Sequence, residues 1–218
     1  EEQIRVQAEL PLRPSNIEYF EKLMYSRNFP KKERPRVGYF CNMIPQELIW
    51  ALGAEPVRLD CGNSAAALLG EEMLSGEICP LAKASFGIFL QEDSLANTCD
   101  VLILPTSCDA KRKIGEILND FKPTFMFNLP PEQNHTRFAR QSYLELLRLR
   151  KFLETHLKTR LSGRALRKAV QLGHHRTLLI RKLQQLRVDK PQTLSIRDFF
   201  LIIQSSLFRP LDLEVWIE

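Results

Sequence analysis

Two thiols sit where a sequence can place reactive groups. Cys79, in "EICPLAKASFG", precedes Pro80 at the expected start of a helix. Cys108, in "DVLILPTSCDAKRK", follows an apolar run and precedes Asp109 and three basic residues. A helix N-terminus favours negative charge, which suits a thiolate. Thiolates grouped in this way suit either an iron–sulfur cluster or a reactive thiol, and the residues alone leave both open. No C-x2-C pair occurs, so a zinc ribbon or finger is not expected. Cys61 and Cys99 read as small buried apolar residues. Cys99 lies before its strand, at the wrong end for a doubly wound active site, and Cys61 lies in a small-residue loop.

Other side chains have two readings each. Glu47, in "IPQELI", is either a solvated carboxylate at a positive helix start or a group that moves a substrate proton. Lys111, Arg112 and Lys113 read first as a solvated helix face and second as charge for an anion, such as a CoA phosphate or a cluster. Lys83 and Arg58 carry the same pair of readings. His174 and His175 are adjacent on a helix, so they do not share a face and are not expected to form a joint metal site.

These residues must be positioned by alternating elements. "RVGYF", "PVRLD", "DVLILP" and "PTFMFNLP" read as buried strands. "NIEYFEKLMYSRNF", "PQELIWALG", "CPLAKASFGIFLQEDS" and "DAKRKIGEILNDF" read as helices, and "CGNSAAALLGEEMLSG" as part loop, part weak helix. The alternation predicts a Rossmann- or flavodoxin-like parallel sheet with helices on both faces. Ligands in such sheets gather at the carboxyl ends of the strands, where Cys41, Cys61 and Cys108 are expected. After Pro131 only helical signals remain, with Ser162 and Ser195 suited to N-caps. The expected division is an α/β domain over 1–131 and an all-helical subdomain over 132–218.

Composition narrows the class. The chain has 218 residues, 44% hydrophobic and 26% charged, with a net charge of +5. That is enough chain for a real core. No apolar run approaches the roughly 18–20 residues that span a bilayer, so no membrane partner is expected. The chain shows neither a signal-peptide pattern nor an initiator Met, and a fragment is one expectation. Five Cys without framework spacing favour reduced thiols in a cytoplasm. His156 to Val188 holds nine Lys/Arg and no Asp or Glu, whereas residues 1–155 are slightly acidic. Aromatics are not interleaved with that basic stretch, which argues against single-stranded nucleic acid as its partner.

Three motifs together carry a resemblance. "GYFCNMIPQELIWALGAEPVRLDCG", "ICPLAKASFG" and "LILPTSCDAKRK" resemble, in order and spacing, the cluster-bearing subunits of the 2-hydroxyacyl-CoA dehydratase and benzoyl-CoA reductase family. The match runs from about Arg36 to Pro130, and the later helices resemble the helical insertion that follows. The resemblance implies a [4Fe-4S] cluster held through Cys, with ligand roles for Cys79 and Cys108 and Cys41 as a third candidate. The motif match adds weight to the proton-handling reading of Glu47, the candidate catalytic residue, without displacing its reading as a solvated carboxylate. It implies a second dehydratase or reductase subunit, an acyl-CoA substrate, and an ATP-dependent activator protein that delivers one electron. The family's second α/β domain, with its further Cys, is not found here. Three readings stay open: a fragment of a longer protein, a ligand supplied from elsewhere, or a lost cluster. A double-cubane-type reductase of small molecules and a non-catalytic assembly subunit are the alternatives in function.

Overall fold

The structure, a computed structural model, describes residues 16–25, 31–60, 62–92, 94–130, 135–190 and 193–208. Cys61 lies outside them, as do residues 131–134, where the sequence pattern changes.

The chain forms two compact units, residues 31–169 and residues 1–30 with 170–218. The first unit is built on four short strands: β1 (Arg36–Tyr39), β2 (Glu55–Arg58), β3 (Val101–Pro105) and β4 (Thr124–Phe127). Their order is β2-β1-β3-β4, and every pairing is parallel. Tyr39 pairs with Arg58 on one side and Ile103 on the other. The expected parallel α/β sheet is therefore present.

Strand alternation sends neighbouring side chains to opposite faces. On one face Val37, Tyr39, Val101, Ile103, Phe125 and Phe127 form a core with Ile49 and Leu52. Those last two belong to or follow α2 (Gln46–Ala51). The same core takes Leu149, Leu153 and Leu157 from α6 (His135–Leu157). Their four-residue spacing aligns them on one helix face. The sheet unit thus continues past the change of pattern at 131 and takes in α6.

On the other face Val57, Leu59, Leu102 and Leu104 meet Ala82 and Phe86 of α4 (Pro80–Gly87) and Ile114 and Leu118 of α5 (Asp109–Leu118). Helix α3 (Ser64–Glu71) packs on α4. Asn63 caps α3, its side chain accepting from Ala65 N–H at 2.9 Å and Ala66 N–H at 3.3 Å. The segment expected as one helix over 79–94 is α-helical only to Gly87 and passes into a 3-10 turn at Ile88–Leu90; a second 3-10 turn, Leu95–Thr98, follows the segment.

The second unit holds α1 (Ile17–Tyr25), most of α7 (Gly163–Asp189) and α8 (Ile196–Phe208). Ile17, Phe20, Leu194, Leu201 and Ile202 form its core. Ser195 caps α8, accepting from Asp198 N–H at 3.0 Å while its hydroxyl donates to Asp198 Oδ2 at 2.9 Å. Ser162 caps α7 through Ala165 N–H at 3.1 Å. Both caps were legible as Ser before a helical run. On α7, Arg164, Arg167, Lys168, Arg181 and Lys182 are exposed while Ala169 is buried.

Candidate functional site

The strand order places a topological switch point between β1 and β3: the chain leaves β1 for β2 on one side and returns to β3 on the other. At such a point the connections diverge and open a crevice at the carboxyl edge. Cys41 stands two residues beyond β1, and Cys108 three residues beyond β3. The two thiols thus follow the carboxyl ends of directly paired strands.

Cys108 is the N-cap of α5, and Cys79 is the N-cap of α4. Pro80 at the first helical position has no N–H to lose and fixes the helical φ. Neither thiol bonds back to its own helix as a cap. Both are exposed, and Cys41 is half-buried. The two helices lie in one layer against the same core, with Phe86 of α4 meeting Phe121 beyond the end of α5 in an edge-on ring contact.

Cys41 has φ +66°. A left-handed backbone at a non-glycine residue costs roughly 1–2 kcal/mol, so its surroundings must hold it. The holder is Asp60, whose Oδ2 accepts the Cys41 backbone N–H. The same carboxylate accepts from Lys111 Nζ through Oδ1 and from Arg58 Nε at 3.2 Å. Lys111 is buried, and the Asp60 side chain is 8% exposed. Lys111 also stands over the Phe40 ring, 4.8 Å from its centroid.

That arrangement changes the reading of two lysines. Lys111 is not on a solvated face: it is turned inward from α5 to the end of β2. Lys83 is also buried, and its ammonium reaches Glu71 Oε1 at 2.5 Å and the Gly76 carbonyl at 3.0 Å. Sequence reasoning missed Asp60. Its one signal was an acidic residue at the end of an apolar strand, in "VRLDCG".

Glu47 sits half-buried in the first turn of α2, which begins five residues beyond Cys41. Cys99 is buried just before β3, and burial pushes its thiol pKa up to about 12 against the opposing pull of Lys122 and Arg36. It is a core residue, as the sequence reading had it.

A thiolate-bound cluster needs sulfur donors free of other bonds and open to iron. Cys41, Cys79 and Cys108 are in no disulfide, and the Cys41 thiol donates a weak bond to Asn42 Oδ1 at 3.4 Å that a metal would displace, so in donor chemistry the residues fit. Among the described residues no three His, Cys, Asp or Glu side chains close into a group that could hold a metal ion. No helix of the described residues is long and apolar enough to cross a membrane.

The fold and its edge define a doubly wound α/β protein with thiols at the switch point. The family described as 2-hydroxyglutaryl-CoA dehydratase, D-component, matches residues 41–218, and the chain belongs to that family. YjiM of Escherichia coli (strain K12), named as a dehydratase subunit, is 31% identical over 182 residues. The alignment covers 82% of this chain and 47% of that protein, so the chain spans about half the length of the curated relative it matches.

Proposed function

We propose that this chain is the iron–sulfur portion of a 2-hydroxyacyl-CoA dehydratase-type enzyme. The observation that carries the reading is the placement of Cys41 and Cys108 beyond the carboxyl ends of the paired strands β1 and β3, at the switch point. Membership of the dehydratase D-component family supports it.

In this reading Cys41, Cys79 and Cys108 hold a [4Fe-4S] cluster. When bound, the cluster supplies a low-potential electron and a Lewis-acidic iron. The other steps belong to the chain. Asp60 keeps Cys41 in its left-handed backbone. The starts of α4 and α5 direct amide N–H groups toward the negative charge of thiolates. Glu47, in the first turn of α2, takes or returns a proton of the acyl-CoA substrate. A second subunit completes the assembly, and an ATP-dependent activator delivers the electron.

Anaerobic reconstitution with iron and sulfide tests the proposal, read by the sulfur-to-iron absorption band. Wild-type protein should develop the band, and Cys41→Ser, Cys79→Ser and Cys108→Ser should each lower it. Equal absorption in wild type and in the triple variant would remove the proposal.

A further inference from the structure

Asp60 joins three parts of the carboxyl edge that are distant in sequence. It follows β2, it accepts the backbone N–H of Cys41 beyond β1, and it accepts from Lys111 in the first turn of α5. Lys111 is three residues beyond Cys108, the cap of that helix. The carboxylate is buried between two cations, Arg58 and Lys111, and one amide. A buried carboxylate with these partners is costly to displace, since any one partner left alone keeps an unsatisfied charge or donor.

We infer that Asp60 is a positioning residue for the thiol site: it fixes the backbone turn that presents Cys41 and ties that turn to the helix capped by Cys108. The Cys41 backbone would otherwise relax to a negative φ, turning its thiol to a different direction. Lys111 serves as the second anchor. Its ammonium holds the other oxygen of Asp60, so the carboxylate cannot rotate away from the Cys41 amide without leaving the lysine. The inference deepens the proposal above and rests on its reading of Cys41 as a ligand.

The test uses the full 218-residue chain. Hydrogen exchange is followed residue by residue by NMR in wild type, Asp60→Ala and Asp60→Asn. The Cys41 amide should exchange at least about tenfold faster in Asp60→Ala, as expected for a lost charge-assisted bond. Asp60→Asn keeps the shape and one oxygen, so its rise should be smaller and at the same amide. A purely structural role would instead raise exchange along β1 and β2, at Val37 and Val57 as well. A Cys41 amide no faster than wild type in either variant overturns the inference, and so does a rise spread evenly over both strands.

A second arm separates this from the cluster reading. Iron release to a chelator is timed after anaerobic reconstitution of wild type, Asp60→Ala and Cys41→Ser. Faster release in both variants supports the inference. Faster Cys41 exchange with iron release unchanged in both variants overturns Cys41 as a ligand, and leaves the hold of Asp60 on the turn standing.

Discussion

Gly87 and Ala66 bring α4 and α3 into backbone contact. A Cβ built on Gly87 would collide with the Ala66 carbonyl oxygen, and one on Gly70 would collide with the Lys83 carbonyl. The two helices approach so closely because each presents a residue without a side chain. This contact sets the pose of the helix that begins at Cys79.

Gly87→Ala should therefore destabilise the protein by about 1–3 kcal/mol, since a carbonyl cannot give way as a side-chain tip can. Gly76→Ala is the control: nothing lies within 4 Å of its added Cβ. Urea midpoints compare the two. A Gly87→Ala midpoint equal to that of Gly76→Ala would contradict the packing described here.

Cys99 should separate from the other described cysteines by reactivity. At neutral pH an alkylating reagent should modify Cys41, Cys79 and Cys108 and spare Cys99, which is buried with a pKa of about 12. The raised pKa also has a stability consequence. The thiol is neutral in both states below its ordinary value of 9.0, so its contribution is full there and is lost as pH rises toward 12. The stability difference between wild type and Cys99→Ala should shrink over that window. A difference constant from neutral pH to 12 would contradict the burial of the thiol.

Glu154 ties the end of α6 to the chain that follows. Its Oε1 accepts Leu161 N–H at 2.8 Å and Arg150 Nε at 3.0 Å, and these bonds, the Leu161 amide first, hold its carboxyl below the usual range. A lowered pKa gives stability that is present above the ordinary value of 4.5 and lost as pH falls through the folded value. Glu154→Gln should lower the melting temperature slightly at neutral pH, and the gap should close in acid. A gap unchanged in acid would show that the carboxylate does not act through its charge.

Much of the fold was legible because its signals are local. "VLILP" is apolar and bounded, and it is β3, buried at every position. Pro80 marked the start of α4, and Ser162 and Ser195 marked two caps. The position of Cys108 was legible, because a strand end and a helix start enclose it within a few residues. Asp60 was not legible, because two of its three partners are 19 residues upstream and 51 downstream. Lys111 misled for the same reason: "KRK" looks solvated until the fold supplies a buried carboxylate. The break after Gly87 was hidden by an unbroken apolar pattern. The place of α6 in the sheet core was also hidden, since periodicity shows which face is apolar and not what covers it.

In the proposed function Cys41, Cys79 and Cys108 hold an iron–sulfur cluster. Mössbauer spectroscopy of protein made with 57Fe and purified without oxygen tests it most directly. Iron is expected in tetrahedral sulfur coordination with matching acid-labile sulfide, both lost when Cys41, Cys79 and Cys108 are replaced together by Ser. Iron absent from the wild-type chain, or present equally in the triple variant, would contradict it.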